Sequence, residues 1–211
     1  MTPKQAYYER VAKTLIKNME RRQMEAYYCA DRATAVQKVL ELMPHGSSVA
    51  WGGSVTLTES GLMDALDPGL YNIIDRAAAK TKEEQRELYG KICGCDFFLM
   101  STNAMTLDGE LVNIDGRGNR VAFLCYGPEN VIVLTGLNKV TPDLESAIQR
   151  VQNVAAPPNT IRLNCDTPCS VTGRCGDCYG PDSICSSIVI TRRSHFPNRI
   201  KVVLVGEELG F

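Results

Sequence analysis

The sequence predicts one α/β domain: a largely parallel sheet covered by helices. Short apolar runs alternate with stretches of helical periodicity, the pattern of strand–helix–strand units. No internal repeat, low-complexity tract or interdomain linker breaks the 211 residues, a length suited to one large domain. A chain that is 44% hydrophobic and 22% charged can bury a real core.

Composition also excludes partners. A formal charge of −1 gives no attraction to nucleic acid or to an anionic membrane surface. No apolar run approaches the ~20 residues that span a bilayer. The opening MTPKQAYYERVAKTL lacks the apolar core and cleavage site of a secretory signal, so the cytoplasm, where thiols stay reduced, is the expected compartment.

Residues 1–25 form a first unit, an amphipathic helix over 3–24. Tyr8, Val11, Leu15 and Met19 share one side and Lys13, Lys17, Glu20, Arg21 and Arg22 the other. Its apolar stripe must lie on its own domain or on a second copy, as in a homo-oligomer. The domain proper takes residues 26–211. Ala26–Cys29 reads as a strand, and Asp31 caps a helix running through Met43. Ser48–Trp51 is the next strand, followed by Gly52-Gly53-Ser54 and a helix over 57–66. Ile73–Ile74 is a short strand, and Thr81-x-x-Glu84 is a capping box opening a helix through Ile92. Asp96–Ser101 is a strand, separated by the bend at Asp108-Gly109 from another at Glu110–Ile114. Val121–Tyr126 and Asn130–Leu134 read as strands around Gly127-Pro128. Thr141-Pro142-Asp143 opens a helix through Val154, which Pro157-Pro158 ends. Strands follow at Ile161–Leu163, Ile188–Thr191 and Ile200–Val205.

Between the last three lies a Cys-rich excursion, residues 165–185, with five of the chain's nine cysteines. Glycines and prolines turn the backbone repeatedly, as it must turn if these thiols are to converge. The odd cysteine total disfavours a disulfide knot. Unligated core thiols are the plain alternative to a metal centre. Cys169, Cys175, Cys178 and Cys185 make an irregular set around one CxxC that suits an iron–sulfur cluster. Pairing Cys165-x3-Cys169 with Cys175-x2-Cys178 instead gives the knuckle spacing of zinc, so Cys165 is an alternative ligand and zinc an alternative metal. Tyr179, Ile184 and Ile188 are the apolar neighbours expected to limit water access.

Ligands of open α/β sheets collect beyond the C-terminal strand ends. Gly52, Gly53, Ser54 and Thr56 lie at such an end and offer amides and hydroxyls to an anion, or simply a tight turn and an N-cap. The stretch lacks the Gly-Lys-Ser/Thr ending of a P-loop. Glu59, just inside the following helix, is a catalytic candidate or a partner of the helix dipole. Residues 103–120 gather Asp108, Asn113, Asp115, Asn119 and Arg120 beside glycines, which fits ligand contact as well as turn chemistry. Gly116-Arg117-Gly118 is not a complete dinucleotide fingerprint, which argues against a Rossmann nicotinamide site. Lys139 could reach an anion or sit exposed at the surface.

Taken in order, these residues resemble the LUD (lactate-utilisation) domain family. The likeness rests on Gly52-Gly53-Ser54 with Thr56-Leu57 and Glu59, and on Thr106-Leu107-Asp108-Gly109 with Leu111-Val112-Asn113. It continues through Asp115-Gly116, Gly118-Asn119-Arg120-Val121-Ala122, Tyr126-Gly127-Pro128, Asn138-Lys139 and Val205-Gly206-Glu207. The resemblance implies a fold like that of the NagB, ribose-phosphate isomerase and CoA-transferase superfamily, whose members bind phosphorylated sugars or CoA at the strand ends. The cysteine segment resembles that of a cysteine-bearing branch of the family. Two functions are then expected. One is an iron–sulfur accessory or electron-transfer protein of hydroxy-acid oxidation, with a small anionic ligand and iron–sulfur partner proteins. The other is a transferase, isomerase or hydrolase of phosphorylated or CoA-linked substrates, with structural zinc and Glu59, Asp108 or Asp115 as acid or base. A non-enzymatic ligand sensor is the third.

Overall fold

A computed structural model describes residues 2–211. The chain opens with α1 (Pro3–Arg21), β1 (Glu25–Cys29), α2 (Arg32–Glu41), β2 (Ser48–Trp51), α3 (Val55–Glu59), α4 (Leu62–Ala65) and β3 (Asn72–Ile74). It continues through α5 (Lys82–Cys93), β4 (Phe97–Met100), β5 (Ala104–Thr106), β6 (Leu111–Asp115), α6 (Asn119–Cys125) and β7 (Asn130–Gly136). β8 (Val140–Thr141), α7 (Leu144–Arg150), α8 (Ala156–Arg162), α9 (Pro168–Thr172), β9 (Ser187–Thr191) and β10 (Ile200–Val205) complete it.

Six strands form the central sheet in the order β1-β10-β7-β4-β2-β3, every neighbour parallel. A parallel sheet needs cover on both faces, and the period-two alternation of its strands supplies two apolar surfaces. Phe98, Met100, Val131, Val133, Val202 and Leu204 face one core with α1, α5 and α6. Phe97, Leu99, Ile132, Leu134, Val203 and Val205 face the other, with α2, α3 and α4. The first helix lies on its own domain: Tyr8, Ala12, Leu15 and Met19 are buried in the first core. Thr2 and Gln5 form its capping box, with Pro3 in the first turn.

A second, smaller sheet has the order β8-β5-β6-β9, with β6 antiparallel to both its neighbours. The pair Met105 and Leu111 joins the first core, while Ala104, Val112 and Ile114 meet α7 in a third. The alternation of β6 therefore sends Asn113 and Asp115 to the side away from α7.

Several expectations are corrected. Residues 121–126 are not a strand but lie mostly in α6. Val121 and Leu124 are buried while Ala122 and Cys125 are exposed, a helical spacing concealed in a short apolar run. Thr141 does not cap α7; Asp143 does, through its bond from the Ser146 amide. Pro157 and Pro158 do not end the helix. A π-helical segment, Val151–Ala155, precedes them, and its wider turn relieves the missing donor and ring clash, so α8 continues through Ile161–Arg162 where a strand was expected. Gly61, at φ +81°, divides the single helix expected over 57–66 into α3 and α4.

Candidate functional site

The C-terminal ends of β3, β2, β4, β7 and β10 deliver Arg76, Gly53–Thr56, Ser101–Asn103, Lys139 and Phe211 to one cavity of about 660 Å³. Asp115–Arg117, Asn119 and Arg120 form a second side, Arg162, Cys165 and Ile184 a third. Five basic side chains line it (Arg76, Arg117, Arg120, Lys139 and Arg162) against one acidic, Asp115.

Lys139 is the anomaly. It is 3% exposed, not a surface lysine. Nζ donates to Thr56 Oγ1 at 2.8 Å and Ser101 Oγ at 3.2 Å, two hydroxyls and no carboxylate. Burial, and then the charges of Arg150 and Arg120, push its pKa down to about 7, with Glu59 opposing.

Arg120 and Asp115 are already committed to each other. Asp115 Oδ2 accepts from Arg120 Nε at 3.3 Å, and Oδ1 accepts the Arg117 and Gly118 amides at 3.1 and 2.9 Å. The Arg120 guanidinium also donates to Ser101 O, Ile114 O, Asn113 Oδ1 and Asn103 Oδ1. The pair is a strut between β4, β6 and α6, a structural role for both groups at the cavity wall. Asn113, fully buried, belongs to the same network, although its Nδ2 has no partner.

The two glycines serve close approach. A Cβ on Gly52 would meet Arg120 Cγ at 3.2 Å, and one on Gly53 would meet Arg76 Nη2 at 2.6 Å. The Gly52 amide bonds Leu99 O and Ser54 caps α3, so these groups are spoken for within the turn. Asn119 opens α6 on the cavity wall. Glu59 lies at the end of its helix, not near the start, and its carboxylate accepts the Gly210 amide at 2.6 Å, pinning residues 209–211 beside Lys139. Asp108 is elsewhere: it lies at the β5–β6 turn against α1, where its carbonyl accepts from Arg22 Nε. Arg76 and Ser101 were missed, although both stand at strand ends where the general rule for α/β sheets would have placed them.

The Cys-rich excursion runs from the end of α8 to β9. Thr167 and Ser170 cap α9, and Gly173 closes it at φ +71°. All nine cysteines are free thiols. The Cys185 thiol is pushed up to about 11, first by burial and then by Cys175, Cys169 and Cys178, which places these four in one neighbourhood. Cys165 lines the cavity, and its thiol is pushed up by burial, then by Asp182 and by Cys169, so it too neighbours one of these thiols. Among the described residues no three His, Cys, Asp or Glu side chains are gathered closely enough for a single metal ion. Four thiolates around one zinc would stand only about 3.8 Å apart, from bonds of ≈ 2.3 Å. Tyr179, at 92% exposed, and Ile188, at 43%, do not shield the thiols; Ile184 lies on the cavity wall.

The LUD domain profile matches residues 12–205. The chain belongs to the LUD domain family. It is thus a protein of lactate-utilisation type, and the match spans both sheets and the Cys-rich excursion. A DUF162 family protein from Deinococcus radiodurans, known from a crystal structure at 1.70 Å resolution, shares the fold. The two are 11% identical over 95% of this chain and 98% of that one, with a TM-score of 0.52. Ribose 5-phosphate isomerase from Plasmodium falciparum is similar over 53% of this chain and 52% of its own. Its identity is 18% and its TM-score 0.34, too low for anything to be drawn from it. No curated protein matches. Among the described residues no helix is long and apolar enough to cross a membrane.

Proposed function

We propose that this LUD domain protein serves hydroxy-acid oxidation of the lactate type. It binds a small carboxylate-bearing ligand in the basic cavity and carries an iron–sulfur cluster on Cys169, Cys175, Cys178 and Cys185 beside it. The observation that carries this is the cavity's charge: a buried lysine without a carboxylate partner and three further arginines, Arg76, Arg117 and Arg162, around one already paired carboxylate. A ligand carboxylate supplies the missing negative charge, and burial strengthens each attraction. Arg76 and Arg117 attract the anion, and Lys139 meets it at the floor.

A bound cluster supplies one-electron transfer. Cys165 and Ile184 line the cavity, so the excursion that holds the four thiols is also the ligand's wall. Val171 and Tyr179, more than four-fifths exposed on that excursion, offer an apolar face to an iron–sulfur partner protein. Neither feature requires a membrane, in keeping with a cytoplasmic protein.

Cavity size favours a second reading. About 660 Å³ is far more than a three-carbon acid fills, and it suits a phosphorylated or CoA-linked ligand. On that reading Lys139 is the acid–base group we favour, since Glu59 and Asp115 already hold backbone amides and Asp108 is remote. Anaerobic purification with iron and sulfide analysis, followed by thermal-shift titration with lactate, pyruvate, ribose 5-phosphate and CoA, tests both. A brown protein stabilised by the hydroxy or oxo acid supports the first. Iron-free protein stabilised only by the phosphorylated compounds overturns it in favour of the second, and binding without any turnover points to a sensor.

A further inference from the structure

We infer that Lys139 is a nucleophile that captures a short 2-oxo acid as an imine. The inference rests on the proposed anion-binding cavity and adds a covalent step to it. Lys139 ends at the cavity floor, held only by Thr56 Oγ1 and Ser101 Oγ. The flanking cations, Arg120 and Arg150, are fixed by other bonds: Arg120 by Asp115 and its carbonyls, Arg150 by the carbonyls of Asn103 and Asn138. Glu59, the one acid that opposes them, is tied to the Gly210 amide. The amine is therefore surrounded by positive charge and hydroxyls, a setting that favours its neutral form.

The chemistry balances without an oxidant. Neutral Nζ attacks the C2 carbonyl carbon of the oxo acid, and the C–N bond forms as the carbonyl π bond opens. The two amine hydrogens leave with the former carbonyl oxygen as water, and the Thr56 and Ser101 hydroxyls beside Nζ can pass the proton. A 2-hydroxy acid has no such carbonyl and can only bind. A surplus of arginines on the walls receives the carboxylate in either case. An ordinary lysine is uncharged in only about one molecule in 2,500 at pH 7, whereas one titrating near 7 is uncharged in about half. Selectivity for this lysine over the others at the surface follows.

The test incubates the intact protein at pH 7 with pyruvate and sodium cyanoborohydride, then maps the adduct by peptide mass spectrometry. Expected is one adduct, equal to pyruvate less one oxygen atom, on the peptide carrying Lys139, more than about a hundredfold above any other lysine, in line with that difference in neutral fraction. Lactate in place of pyruvate gives none. Labelling spread over surface lysines, or no adduct while pyruvate still raises the melting temperature, overturns the inference and leaves the anion site standing. Neither adduct nor thermal shift removes both. Lys139→Gln, checked for folding by circular dichroism, abolishes the adduct; an undiminished adduct in this variant also overturns the inference.

Discussion

Lys139 carries a pH signature that no exposed lysine has. Its folded pKa, about 7, lies below the ordinary 10.5, so between these values the unfolded chain binds the extra proton. Stability from this group therefore rises with pH across that window, and its full cost is present below pH 7. Lys139→Met is expected to be more stable than the parent at pH 6, the advantage shrinking toward pH 9. Denaturant melts at both values measure it, and an advantage that grows with pH would falsify the assignment. Asp115→Asn keeps the acceptor for the Arg117 and Gly118 amides but removes the charge opposite Arg120. Loss of a buried partner predicts destabilisation of about 3 kcal/mol, readable in urea. The sequence singled out Asp115 and Arg120, but did not show that they face each other. Only the register of β6 against α6 brings them together.

At the scale of elements, the segment after β10 lies close against Gly136 at the end of β7. A Cβ on Gly136 would fall 2.6 Å from Glu207 O and 2.8 Å from Leu209 N, backbone atoms that cannot swing aside. Gly136→Ala is expected to cost about 2 kcal/mol and to displace the segment beside Lys139, weakening ligand-induced thermal stabilisation. The fused helix from Leu144 to Arg162 shows why boundaries were less legible than elements. Two adjacent prolines are a sound stop signal, and here the preceding π turn absorbs them. The residues of α6 were misassigned for the same reason: their helical face is defined by what they pack against, not by a long periodic run.

Across the whole molecule, the two large cores lie in the central sheet and its helices, while the Cys-rich excursion buries little beyond Thr167 and Cys169, with Cys185 half-buried. With the proposed cluster bound there, oxygen or a chelator is expected to loosen that excursion alone. Limited proteolysis should cut within residues 170–184 after iron is removed, while far-ultraviolet circular dichroism keeps the signal of the sheet. Cleavage equal with and without iron contradicts the cluster's role in ordering it. In contrast, Leu15→Ala, deep under the first helix, should cost about 2–5 kcal/mol regardless of iron.

The order of apolar runs and turn residues by itself determined the layered parallel sheet, the family likeness and the Cys-rich excursion, because these depend on local periodicity and spacing. Folding at long range decided which groups are charged, paired or exposed. It buried Lys139, engaged Asp115, set Asp108 against α1 away from the cavity and left Tyr179 in solvent, because desolvation and ion pairing depend on neighbours that are distant along the chain.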